Sequence, residues 1–272
     1  MNILIMKKTR FLAFLLIATI SFFLTVACER LTTTPNVVRN TPPTVQLTVS
    51  AAASLKDAME AIKPVYLAKN SETAIAYNFG SSGSLQQQVE QGAPVDVFVA
   101  AAAKQMDNLQ KKGLLIDETR QDLLTNQLVL IVPKENTKIK GFKDLPGDAA
   151  KKIALGEPES VPAGKYAKET LTFFKLFDAV KAKAVYAKDV RQVLNYVETG
   201  NTEAGIVYET DAKTSDRVKI VEIAPSNSHA RIVYPIAVIK ASKHIEAAKQ
   251  FVQFLSSPEA KTMFEKYGFK RA

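Results

Sequence analysis

At four points an apolar stretch of strand length gives way to an amphipathic stretch of helix length through small residues, hydroxyls or helix-capping residues. The first is Ser50-Ala51-Ala52-Ala53-Ser54-Leu55, with Ser54 in the position of an N-cap. The second, Phe79-Gly80-Ser81-Ser82-Gly83-Ser84-Leu85, combines two glycines that permit close backbone approach with three hydroxyl donors. In the second half, Glu157-Pro158-Glu159-Ser160-Val161-Pro162-Ala163-Gly164 leads into a helix whose early N–H groups, at Ala163 and Gly164, have no partner inside the helix. The fourth, Asp189-Val190-Arg191, opens another helix with Asp189 as its natural cap. Helix starts present unpaired N–H groups and the positive end of the macrodipole, so a small anion can dock there without a cationic side chain. Taken singly, the second junction is equally a plain turn, and the other three are more often only helix caps. Asp189 would repel an anion that it faced, which assigns its carboxylate to its own helix end and leaves the Val190 N–H oriented outward.

Other chemistries fit less well. No Lys-Ser or Lys-Thr follows the glycines of the second junction, so it is not a Walker loop, and it lacks the glycine spacing of a nucleophile elbow. A serine hydrolase built on Ser54 or Ser82 needs a base. The chain offers only His229, in the polar Ser226-Asn227-Ser228-His229 loop, and His244, at the opening of a helical segment; both read as solvated surface residues. Two isolated histidines and one cysteine make no ligand cluster, so neither a directly bound metal cation nor a cofactor is expected. Asp96, at a strand start, reads as a structural hydrogen-bond acceptor.

The elements that carry these junctions alternate between strand-length and helix-length segments, the pattern of an α/β protein with largely parallel sheets. Strands are predicted at residues 45–50, 73–79, 95–100, 127–132, 152–156, 184–187, 203–208, 218–224 and 233–239. Helices are predicted at 55–69, 84–91, 103–112, 163–177, 190–199, 245–255 and 258–267, with Pro64 expected to kink or divide the first. Residues 133–146 form the most loop-like interior stretch and are expected near a boundary between lobes.

Before Val45 the chain has a different character. Lys7, Lys8 and Arg10 precede an uncharged run from Phe11 to Leu24, a secretory leader pattern that assigns residues 1–27 to a signal peptide. The only cysteine, Cys28, falls where the apolar run ends in Leu24-Thr25-Val26-Ala27-Cys28; it cannot form an intramolecular disulfide and is placed like the acylated cysteine of a bacterial lipobox, although Thr25 stands where leucine is usual. Residues 28–44, with three prolines, five threonines and no hydrophobic period, read as a lipid-anchored tether that places the protein outside the cytoplasmic membrane. About 228 residues remain, ample for a buried core or two lobes. Loss of residues 1–27 removes three basic and no acidic residues and takes the formal charge from +9 to +6. That charge is scattered, with no basic stripe interleaved with aromatics, so nucleic acid is not an expected partner, while a mildly basic field favours approaching anions.

Seven segments in order resemble the periplasmic molybdate-binding proteins of ABC importers: Ala51-Ala52-Ala53-Ser54-Leu55, Gly80-Ser81-Ser82-Gly83, Gly92-Ala93-Pro94-Val95-Asp96-Val97-Phe98, Gly156-Glu157-Pro158 with Val161-Pro162-Ala163-Gly164, Asp189-Val190-Arg191, Gly205-Ile206-Val207-Tyr208 and Lys266-Tyr267-Gly268-Phe269. The resemblance implies a two-lobed α/β fold of the type II periplasmic-binding-protein class, with mixed, largely parallel sheets flanked by helices and hinged by crossover strands. Residues 45–126 with 234–272 would form one lobe and 127–233 the other. It further implies a bound molybdate or tungstate held by Ser54, Ser82, Ala163, Val190 and Tyr208, a monomeric chain that is not an enzyme, and partners in an ABC permease and its ATPase subunits. Another oxyanion such as sulfate is the alternative ligand, with a serine hydrolase or a ligand-free scaffold as competing classes. Ala100-Ala101-Ala102 departs from the Ser-Ala-Asp common in relatives, a change expected to touch local packing and not the ligand contacts.

Overall fold

A computed structural model describes residues 45–272. The predicted signal peptide, Cys28 and the tether lie outside the described residues. Strand β1 (Val45–Ala52) passes through a 3-10 turn (Ala53–Leu55) into α1 (Lys56–Lys69), followed by β2 (Thr73–Gly80), α2 (Ser82–Glu90), β3 (Val97–Val99), α3 (Ala103–Lys111) and β4 (Gln121–Thr125). Next come β5 (Leu128–Pro133), β6 (Ile153–Gly156), α4 (Pro162–Phe173), α5 (Phe177–Lys181), β7 (Ala184–Ala187), α6 (Val190–Glu198), β8 (Ala204–Tyr208), α7 (Glu209–Ala212) and β9 (Val218–Ile223). The chain closes with β10 (Val233–Val238), α8 (Ile245–Leu255), α9 (Pro258–Lys266) and β11 (Lys270–Arg271).

The strands form two sheets, ordered β11-β4-β10-β3-β1-β2 and β7-β6-β8-β5-β9. Both share one plan: three parallel strands (β2-β1-β3 and β7-β6-β8), then a strand running the other way (β10 and β5). The carboxyl ends of parallel strands, where each strand hands over to its helix, are where open α/β sheets bind ligands, and this fold has one such edge per sheet. The chain changes sheets between β4 and β5 and again between β9 and β10. The result is the two-lobed type II arrangement. Residue Val233 already pairs with Thr125 in the first sheet, so the return crossing ends one residue earlier than the sequence implied. Residues 133–146 connect β5 to β6 within the second lobe and do not lie at the crossings; Ile139, Phe142 and Leu145 are fully buried there and tie the stretch to the core.

The helices form because their apolar residues recur on one face. Helix α6 buries Val190, Val193, Leu194 and Val197, and α8 buries Ala248, Phe251, Val252 and Leu255. Helix α1 buries Ala58, Met59, Ile62 and Tyr66, and the Tyr66 ring sits 5.0 Å from Phe251 and 5.1 Å from Phe254, which fixes α1 against α8. Pro64 does not divide α1. Its ring faces solvent while Ile62 and Tyr66 on either side are buried, so packing holds the helix across the lost N–H bond. Strand β4 carries little sequence signal because it is short and its first two residues, Gln121 and Asp122, are exposed. Among the described residues no helix is long and apolar enough to cross a membrane.

Candidate functional site

The four junctions meet. Ser54, Ser82, Ala163, Val190 and Tyr208 line one cavity, together with Ala52, Ala53, Gly80, Ser81, Ala101, Val161, Pro162 and Asp189. It encloses about 10 Å³ of water-accessible space within a cleft of about 210 Å³ that includes its mouth. The enclosed space is far below the ~300 Å³ at which pockets for organic ligands begin, so its guest is compact. Among the described residues no lysine, arginine or histidine lines it.

Each element delivers its donors by a local device. Ser81 caps α2, accepting from the Ser84 N–H at 3.2 Å and donating to Ser84 Oγ at 2.9 Å. Ser82 is thereby the first helical residue, and its buried Oγ accepts the Ala101 N–H at 2.9 Å, which leaves its own proton free to point into the cavity. Ser54 does not cap a helix as the sequence suggested: it lies inside the 3-10 turn ahead of α1, and its hydroxyl is taken up by Tyr234 Oη at 2.9 Å. In the second lobe Pro162 occupies the first turn of α4, where a missing N–H costs nothing, and Ala163 follows it. A Cβ on Gly164 would overlap the Gly156 carbonyl, so glycine there lets α4 start hard against the end of β6. Asp189 spends its carboxylate on its own helix, accepting from the Gln192 N–H at 2.9 Å, while Gln192 Oε1 accepts from the Lys188 N–H at 2.8 Å. Among the described residues no backbone carbonyl outside its own element accepts from the N–H of Ser54, Ser82, Ala163 or Val190.

Tyr208 ends β8 and is buried, with its hydroxyl 3.5 Å from the Ala101 carbonyl, a long and weak bond. Burial drives its pKa well above the ordinary tyrosine value, with Tyr234, Tyr166 and Asp211 adding to the effect, so it remains a neutral donor. The lining thus includes the Ser82 hydroxyl, which already accepts one hydrogen bond, the Ser54 hydroxyl bonded to Tyr234, the phenol of Tyr208 and the positive ends of three helices, a set rich in donors.

The lobes touch around this cavity. The Gly83 N–H donates to the Ser160 carbonyl at 2.9 Å, from the first lobe to the second. Arg191 turns away from the cavity, as its sequence position implied, and pairs with Asp57 of the first lobe while its Nε stands 2.8 Å from Asp211 Oδ1 and its Nη1 donates to Thr214 at 2.9 Å. This bridge between lobes was not legible in the sequence. The Arg191–Asp211 contact is close but lacks hydrogen-bond alignment, and neither oxygen of the buried Asp211 carboxylate has a well-aligned hydrogen bond among the described residues. Burial pushes Asp211 up from 3.8 to about 6, opposed by Arg191. A raised folded-state pKa contributes stability that is present below about 3.8 and lost as pH rises through about 6. The stability of the protein relative to Asp211→Asn should therefore fall between pH 4 and 6, by up to roughly 3 kcal/mol, and level off above 7. Paired thermal melts across that range test this; a constant offset would contradict it.

Two sequence expectations change. Ala101, assigned only to packing, lines the cavity and bonds both Ser82 and Tyr208. Tyr234 was not singled out, although it holds Ser54. Asp96 behaves as expected, accepting from the Thr48 N–H at 2.7 Å and Ser242 Oγ at 2.6 Å. His229 and His244 are both partly exposed and line no part of the cavity.

Comparison with known proteins covers nearly all of the described residues. Residues 47–270 match the model of the bacterial extracellular solute-binding protein family. The chain is 49% identical over 226 residues (83% of this chain, 86% of the relative) to YvgL of Bacillus subtilis (strain 168), named as a candidate ABC transporter substrate-binding lipoprotein. It is 38% identical over 234 residues (82% and 89%) to the molybdate-binding protein ModA of Haemophilus influenzae. Among solved structures it superposes on the periplasmic molybdate-binding protein of Azotobacter vinelandii with a TM-score of 0.76 at 25% identity, covering 83% of this chain and 99% of that one. With the match running through both lobes and all four junctions, the chain belongs to the family of bacterial extracellular solute-binding proteins.

Proposed function

We propose that this chain is the substrate-binding lipoprotein of an ABC importer, which captures molybdate or tungstate between its lobes outside the cytoplasmic membrane and delivers it to a permease driven by ATPase subunits. The observation that carries the reading is the cavity itself: compact, formed where three helix starts and a 3-10 turn of two lobes converge, rich in neutral donors and, among the described residues, free of basic side chains. The names of its relatives point the same way. Molybdate, tungstate and sulfate are fully deprotonated at neutral pH and present only acceptors, whereas hydrogen phosphate carries a proton that seeks one. On this reading Ser54, Ser82, Ala163, Val190 and Tyr208 meet the anion oxygens. The protein acts as a monomer, needs no cofactor and catalyses no reaction; a hydrolytic serine would need a base, and neither histidine lines the cavity.

A thermal-shift series on the purified protein tests it. Molybdate and tungstate should raise the melting temperature in proportion to ligand excess over Kd, sulfate by less, and phosphate not at all. A shift with phosphate alone would refute the reading. The anchor has its own test: Cys28→Ser should release the protein from the membrane fraction or leave an unprocessed precursor. Unchanged membrane association with normal processing would show that another feature holds it there.

A further inference from the structure

Behind Ser54 runs a hydrogen-bond chain that leaves the cavity and ends at the crossing between the lobes. Asn126 sits at that crossing, between β4 and β5. Its Oδ1 accepts the Gln127 N–H at 2.9 Å, which fixes the amide so that Nδ2 faces Thr210 Oγ1 at 2.8 Å and Tyr234 Oη at 3.1 Å. An amide nitrogen can only donate, so Tyr234 accepts there. A phenol oxygen so engaged sends its own proton to its remaining neighbour, Ser54 Oγ, at 2.9 Å. Ser54 then accepts from Tyr234 and has its proton left over for the cavity. Tyr234 is fully buried and lies beside the irregularity in β10 at Tyr234/Pro235, where the register shift sets its approach to Ser54. Ser82 reaches the same state by a different route, through the Ala101 N–H.

From this polarity we infer that Tyr234, oriented by Asn126, is a specificity-determining positioning residue: it forces the Ser54 hydroxyl to be a donor, and so lets the site reject oxyanions that carry a proton. The inference rests on the proposed oxyanion-binding function. Tyr234 does not line the cavity; its hydroxyl reaches it through Ser54, and its ring packs edge-on against Tyr208 at 5.9 Å, a contact that Tyr234→Phe keeps.

The test is competition binding on the full-length protein, with molybdate and hydrogen phosphate as probes and the ratio of their affinities as readout. In Tyr234→Phe the Ser54 hydroxyl is free to turn and accept, so molybdate should bind more weakly and its preference over phosphate should narrow by about tenfold or more. Asn126→Asp, which places an acceptor where the amide donated, should narrow the ratio again; its added charge repels both anions and cancels in the ratio. In a Ser54→Ala background Tyr234→Phe should change nothing further. A ratio kept at the wild-type value in both variants, even with weaker overall binding or a lower melting temperature, would reduce Tyr234 to a packing residue and overturn the inference. A wild-type protein that binds no oxyanion would instead remove the functional reading beneath it.

Discussion

Gly83→Ala is expected to weaken oxyanion binding by about 1.5 to 4.5 kcal/mol, roughly tenfold to about two thousandfold, while leaving each lobe folded. A Cβ at this position would lie 2.5 Å from the Ser160 carbonyl oxygen and 2.7 Å from its Cα, backbone atoms of the opposite lobe that cannot yield as a flexible side chain would. The same residue gives its N–H to that carbonyl. Overpacking of this kind costs about 1 to 3 kcal/mol and the lost hydrogen bond about 0.5 to 1.5 more. Within α2 the change is mild, since alanine is the better helix former. The strain therefore falls on the apposed state and is relieved when the lobes part. Small-angle scattering should show the wild type contracting with molybdate and the variant contracting less. Unchanged affinity and an unchanged scattering response would show that closure does not bring these two segments together.

Ser82→Ala is the second large effect. It removes one hydroxyl donor to the anion and also strips the Ala101 N–H of its acceptor. A hydrogen bond to a charged acceptor is worth about 1.5 to 3 kcal/mol, so molybdate binding should weaken roughly tenfold to more than a hundredfold. Five to seven such bonds, less the costs of ordering, are enough for the roughly 8 to 12 kcal/mol of micromolar to nanomolar binding without a counter-charge. Removal of the Arg191 guanidinium should act differently. Its carboxylate partner Asp57 is substantially exposed, and pairs of that kind contribute little, but the buried Asp211 would lose the one cation that the described residues place against it. Arg191→Ala should thus lower thermal stability more than affinity. Loss of binding in Arg191→Ala with silence in Ser82→Ala would require a site built around a cation.

What the sequence disclosed followed from how local each signal was. Helix starts are written in a few adjacent residues, so Pro162-Ala163 and Asp189-Val190 are legible as free N–H groups from residue types and spacing, whereas the helix expected from Ser84 begins two residues earlier, at Ser82; the helix of residues 245–255 falls where its apolar spacing put it. Tyr208 had no such signal; resemblance alone placed it in the site. The contacts that organise the site from behind were invisible because they join distant segments: Tyr234 to Ser54 across 180 residues, Arg191 to Asp57 across 134, Asn126 to Tyr234 across 108. Ser54 illustrates the limit well. A serine before an apolar run reads as a cap, and only the return of β10 beside β3 reveals that a tyrosine claims its hydroxyl instead.

The central claim is that neutral donors alone hold a fully deprotonated tetrahedral anion, and calorimetric titration of the purified protein with molybdate, sulfate and hydrogen phosphate at low and high salt tests it most directly. One molybdate per chain is expected to bind with micromolar or tighter affinity, with weaker sulfate, no detectable phosphate, and only a small change with salt, since no ion pair to the ligand is there to be screened. Heat with phosphate matching that with molybdate, or affinity that collapses as salt is raised, would contradict it.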